Sequence, residues 1–182
     1  MNEILAEKRF DFVSDQNRKF IDDFTKEMEL FGYDFGGKIG SGYCWGNYMI
    51  IYSQKNAKSK KIIARIFIRD EGIIIWGGKE NHYKNSIVLR LFFNGIDKHR
   101  EYIENAASFI KGPFVNEHGA CNHCKKDCHF RKVYTIGGKQ FEKCSGAVFE
   151  YHNPKTEHIE DYVNILKEFY GKKSSGKKQG EN

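Results

Sequence analysis

Lys61-Ile62-Ile63-Ala64-Arg65-Ile66-Phe67-Ile68-Arg69-Asp70-Glu71-Gly72-Ile73-Ile74-Ile75-Trp76 is the stretch whose reading decides the fold. Over residues 61–69 the pattern has a period of two. Ile62, Ala64, Ile66 and Ile68 fall on one face of a strand, and Ile63, Arg65, Phe67 and Arg69 on the other. Arg69-Asp70-Glu71-Gly72-Ile73 reads as a hairpin turn, which makes 73–76 a short separate strand. Further strands are expected at 48–53 and 87–92. In the latter, Ile87, Leu89 and Leu91 oppose Val88, Arg90 and Phe92. Short connections between consecutive strands imply an antiparallel meander with helices packed on one face.

Helices are legible on either side of the meander. Ser14 is a suitable cap for a helix running to about residue 30, with Phe20, Phe24, Met28 and Phe31 recurring every three or four positions. A second helix is expected over 96–110 on the stripe Ile96, His99, Tyr102, Ile103, Ala106 and Phe109, stopped by Gly112-Pro113. After a strand at 147–151, Asn153-Pro154 opens the last helix, whose buried face is Ile159, Tyr162, Val163, Leu166 and Phe169. The fold class is therefore α+β: an antiparallel β-meander packed with helices, plus a C-terminal four-cysteine, zinc-knuckle-like loop. One domain spans 1–170, with a metal-binding subregion at 118–146. Residues 171–182, rich in Lys, Gly and Ser, read as a disordered tail.

The cysteines carry the sharpest chemical signal. Four of the five cluster as Cys121-Asn-His-Cys124-Lys-Lys-Asp-Cys128, followed by Cys144 after fifteen intervening residues. A two-residue gap lets one tight turn present two thiolates to a single ion. Gly137-Gly138, between β-prone stretches, reads as a hairpin turn that returns Cys144 to the other three. Disulfides do not suit a chain with no sign of export. An iron–sulfur cluster is the alternative occupant, but the full ferredoxin run and its following proline are absent, since His129 follows Cys128. The expected cofactor is structural zinc in a closed four-thiolate shell, which leaves no open position for catalysis. Cys44 stands apart and reads as buried and inert.

Charge narrows the partners. The chain of 182 residues carries a net charge of +6, of which the last twelve residues supply +3. Four metal-bound thiolates bring the body close to neutrality, so a globally basic nucleic-acid binder is not supported. No apolar run approaches the roughly 18–20 residues that span a bilayer, and the N-terminus lacks a secretory h-region. The expectation is a cytoplasmic protein without a membrane partner.

Two clusters remain as candidate binding residues. Tyr43, Trp45 and Tyr48, with Trp76, have the aromatic density of a small-molecule pocket. Arg65, Phe67, Arg69 and Arg90 form a basic, aromatic sheet face that suits an anionic ligand or stacked bases. Gly36-Gly37-Lys38-Ile39-Gly40-Ser41-Gly42 does not meet the requirements of a phosphate loop, since no Ser or Thr follows Lys38 and no helix follows Gly42. No HExxH, GxSxG or spaced carboxylate pair argues for an enzyme. The composition is of the kind AT-rich bacterial genomes encode. Together these features imply a zinc-stabilised, bacterial-type α+β protein that holds a small molecule in an aromatic-lined cavity. Nucleic-acid binding by the arginine face and lysine tail is one alternative, and thiol–metal redox sensing is another.

Overall fold

The computed structural model describes residues 1–43, 46–54, 61–76, 79–116, 127–128, 131–144 and 149–171. Its centre is an antiparallel sheet in the order β1 (Tyr33–Asp34), β3 (Tyr48–Gln54), β4 (Ile62–Trp76), β5 (Lys79–Leu91) and β8 (Glu150–His152), with β2 (Gly40–Ser41) also paired to β3. β6 (Arg131–Ile136) and β7 (Lys139–Cys144) form a separate hairpin. The fold class is α+β, and among the described residues five α-helices accompany the strands. None of them is long and apolar enough to cross a membrane.

Alternation along the central strands sorts the side chains as the sequence implies. Ala64, Ile66 and Ile68 of β4 share one core with Ile50 and Tyr52 of β3, and with Ile87, Leu89 and Leu91 of β5. That face is covered by α2 (Asp15–Leu30) and α5 (Ile159–Tyr170), which bury Phe20, Phe24 and Met28, and Tyr162, Val163 and Leu166. Ser14 caps α2 as expected, accepting from the Asn17 amide at 3.3 Å. A polar intrusion is answered internally: the buried Tyr52 hydroxyl lies 2.7 Å from Thr25 Oγ1, which donates to the Ile21 carbonyl.

Several boundaries differ from the sequence reading. Ile63 sits in the helix-covered core and not beside Arg65. The cause is a bulge: Tyr52 pairs with Ala64 but Ser53 pairs with Ile62, so Ile63 is the extra residue and the alternation resets there. Residues 69–73 make no turn, and β4 runs unbroken to Trp76. Gly72, which looked like a turn residue, is a strand glycine opposite Tyr83, and a Cβ there would stand 2.6 Å from the tyrosine oxygen. Its missing side chain makes room for the cross-strand ring.

The expected helix over 96–110 is three pieces: a 3₁₀ turn at Ile96–His99, α3 (Arg100–Asn105) and α4 (Ser108–Val115). Ala106 and Ala107 are extended between them, and the change of direction carries Phe114 against Phe93 and Phe149 at centroid distances of 5.1 and 4.7 Å. Gly112-Pro113 lies inside α4, because Ile110 and Phe114, four residues apart and buried, anchor the turn on both sides of the proline. Nor does Asn153-Pro154 open α5. The Asn153 amide still donates to Ile87 as a continuation of the sheet, and the helix starts after a 3₁₀ turn at Thr156–His158.

The hairpin docks at the other end of this core. Gly137-Gly138 makes the turn between β6 and β7, both with positive φ. Tyr134 donates from its hydroxyl to the Phe114 carbonyl at 2.7 Å, and Asp97 and Glu104 accept from the Thr135 and Gly137 amides. Burial raises the Tyr134 phenol above its ordinary range.

The two ends of β4 should respond differently to truncation. Ile66→Ala, in the sealed part of the strand, is expected to cost about 2–5 kcal/mol in chemical denaturation. Ile73→Ala, at a position 53% exposed, should change stability by no more than about 0.5 kcal/mol.

Candidate ligand cleft

On the face away from the helices, β3 presents Met49 and Ile51, β4 presents Arg65, Phe67 and Arg69, β5 presents Val88 and Arg90, and β8 presents Glu150. Met49, Phe67 and Val88 form a second apolar cluster, with Ile51 packed against it. Phe67 is 0% exposed, and the Arg90 guanidinium lies 4.8 Å from its ring centre.

Strand register lines up three charges. Arg65 stands directly opposite Arg90, which stands directly opposite Glu150. Arg90 donates to Glu150 Oε1 from Nε at 2.7 Å and again from Nη2. His152 Nε2 is 3.5 Å from the other carboxylate oxygen. Burial by itself raises the Glu150 carboxyl, but the hydrogen bonds and charges of His152 and Arg90 outweigh it and hold the group below the usual carboxylate range. Arg65 has no such partner. Among the described residues it is ion-paired to no carboxylate, its Nε is buried without a hydrogen-bond acceptor, and its guanidinium lies 5.2 Å over the Phe92 ring. Burial first, and the charge of Arg90 second, pull the Arg65 guanidinium below its ordinary value. Arg69, also largely buried, is lowered chiefly by burial and stacks on Tyr83 at 5.0 Å.

Arg65 forms part of the wall of a cleft of about 760 Å³. The floor is apolar, from Met49, Ile51 and Ile62. The rim is the segment that leads into β2 and on to Tyr43, contributing Phe35, Lys38 and Ser41. This loop is held close to the sheet. Asn47 latches its base: the Asn47 amide donates to Ile68, its side chain accepts from the Asp70 amide at 2.8 Å, and its carbonyl accepts from Gly42. Gly42 tolerates no side chain, since a Cβ would meet the Gly46 carbonyl oxygen at 2.3 Å. A volume of this size with an apolar floor and a few convergent polar groups is that of a small-molecule site.

The structure separates residues that the sequence grouped. Tyr43 and Arg65 line the cleft, with Tyr43 78% exposed at its mouth. Phe67, Arg69 and Arg90 are on the same face but buried beside it. Tyr48 lies on the opposite face, edge-on to Phe10 and stacked with Phe12. Trp45 lies outside the described residues, as do Cys44 and the side chain of Trp76. Of the expected metal ligands, Cys121 and Cys124 lie outside the described residues, Cys128 is half-buried with a free thiol, and Cys144 is described by its backbone alone in β7. Among the described residues no three His, Cys, Asp or Glu side chains converge on a metal position. Sequence reasoning missed Lys38, Ser41, Met49, Ile51, Asn47 and Glu150. The run of glycines around Lys38 and Ser41 was the available signal for the rim, and nothing local marks Glu150 as the partner of Arg90. Compared with protein-family models, curated protein sequences and solved structures, the chain matches none.

The Arg90–Glu150 pair has side-chain exposures of only 4% and 11%, so removing one member takes the counter-charge from a buried ion. Glu150→Ala is expected to cost about 3–5 kcal/mol. Because the folded-state carboxyl is held low, its contribution is present above the unfolded value near 4.3 and lost as pH falls through the lower folded value. The wild-type melting temperature should therefore drop more steeply than that of Glu150→Gln as pH is taken down from about 5. Parallel melting curves for the two proteins would show it.

Proposed function

We propose that the protein is a binding module that takes a small organic molecule into the cleft between the 35–43 loop and β3–β4, and that a zinc ion on Cys121, Cys124, Cys128 and Cys144 staples the β6–β7 hairpin. The cleft itself carries the first part: about 760 Å³ with an apolar floor and polar groups on its wall and rim. Supporting the second, β6 and β7 pair Arg131 with Cys144, and the Arg131 amide donates to the Cys128 carbonyl at 2.9 Å. The backbone of position 144 thus comes back to within one turn of Cys128, as a shared tetrahedral site requires. The role of the ion is to order the segment around the thiolates, since a closed four-sulfur shell binds no substrate. Nucleic acid on the Arg65, Arg69 and Arg90 face has less to stand on, because Phe67 is sealed and Arg90 is engaged with Glu150.

Elemental analysis of the purified protein should give one zinc per chain and a colourless solution, whereas a brown solution would indicate an iron–sulfur centre. Cys144→Ala should lose at least about nine-tenths of the metal under mild chelation, and Cys44→Ala should retain it. For the cleft, a thermal-shift screen of small organic molecules should yield ligands that raise the melting temperature by about 5–10 °C at a hundredfold excess over Kd. Ile51→Trp, which fills the floor, should abolish those shifts. Ligands whose effect survives in Ile51→Trp bind elsewhere and contradict the assignment.

A further inference from the structure

We infer that the ligand of this cleft is an organic anion whose carboxylate or phosphate group is held by Arg65, an inference that rests on the cleft being the binding site. The argument starts from charge balance on the open face. The row Arg65–Arg90–Glu150 contains two cations and one acid, and the acid is committed to Arg90 by two hydrogen bonds. Like charges directly opposite each other on neighbouring strands destabilise a sheet, so Arg65 is held where its charge works against the fold. Its Nε donor is also buried with no acceptor, a condition that protein interiors avoid. Both defects have one remedy. An incoming carboxylate or phosphate supplies the counter-charge at the guanidinium and, with a small turn of the side chain, an acceptor for Nε.

The rest of the lining agrees. Lys38 is a second cation on the cleft, Ser41 and Ser53 add hydroxyl donors, and among the described residues no Asp or Glu lines it. Another cleft, of about 570 Å³ between α3 and α5, is different in kind: Glu101, Asp161 and Glu168 line it together with Lys98, and its His99 is already bonded to Glu168 at 2.7 Å. Its lining is predominantly acidic, whereas the charged side chains that line the Arg65 cleft among the described residues are the cations Lys38 and Arg65. The apolar floor calls for a ligand with an apolar body, so the class is an amphipathic organic anion and not an inorganic ion.

The test uses full-length protein, amide-resolved NMR and matched probes: octanoate with octanamide, naphthoate with naphthamide, octyl phosphate, and inorganic phosphate. In each pair the acid should bind at least about tenfold more tightly than the amide, shifting amides of residues 40–43 and 49–51. In Arg65→Met the acid and amide should bind alike, and Arg65→Lys should fall between. Because Arg65 opposes the fold when no ligand is bound, Arg65→Met should melt at or above the wild-type temperature. A large loss of stability in Arg65→Met would make the residue a structural cation and overturn the inference. Equal binding of acid and amide in the cleft would also overturn it while leaving the cleft as the binding site. Failure of every probe to perturb the cleft would overturn both. Inorganic phosphate binding as tightly as octyl phosphate would overturn the claim that the anion is organic.

Discussion

Everything in the described structure is arranged around the two faces of β4. Ala64, Ile66 and Ile68 must be hidden, and with their partners on β3 and β5 they form a surface that α2 and α5 cover. The same alternation forces Arg65, Phe67 and Arg69 onto the other face. The protein cannot bury the isoleucines without also presenting the arginines, so the chemistry of the open face follows from the packing of the covered one. The bulge at Ile63 adjusts this arrangement at one end. It sends Ile63 into the core and returns Ile62 to the open face, where it completes the apolar floor beside Arg65.

The open face then divides into a closed part and an open part. Around Phe67 the charges are satisfied: Arg90 stacks on the ring and pairs with Glu150, and Arg69 stacks on Tyr83. A buried pair of this kind adds little net stability compared with apolar residues, but it is costly to break. Around Arg65 the charge is left unanswered, beside a hollow roofed by a loop that Asn47 fastens to β4. The difference between the two regions is one carboxylate. That single asymmetry is the physical content of the functional proposal.

Much of the fold was legible because it rests on periodicity. The Phe20, Phe24 and Met28 spacing of α2, the Ser14 cap, the alternation along 64–69 and 87–91, and the Gly137-Gly138 hairpin all report local geometry, and the structure contains them. Where the reading failed, long-range packing had overridden a local signal. Gly72 mimics a turn but exists to accommodate Tyr83 from the opposing strand, and Pro113 mimics a stop but is carried by the burial of Ile110 and Phe114. The site was half legible. Arg65 was identified from its face, but Glu150 lies 60 residues beyond the arginine it serves, and no spacing rule connects them. The rim residues Lys38 and Ser41 were weighed only as a phosphate loop, whose requirements the segment does not meet, because a glycine run looks the same whether or not a cleft lies beneath it.

The most direct measurement is of the arginine side chains themselves, by following their Nε–Hε resonances in ¹⁵N-labelled protein during titration with octanoate. The Arg65 resonance, assigned by its loss in Arg65→Lys, should exchange slowly with solvent and should shift progressively with the amides of the 40–43 loop, while that of Arg90 stays fixed by Glu150. An Arg65 resonance that exchanges rapidly and does not move, or a response confined to Arg90, would contradict the account.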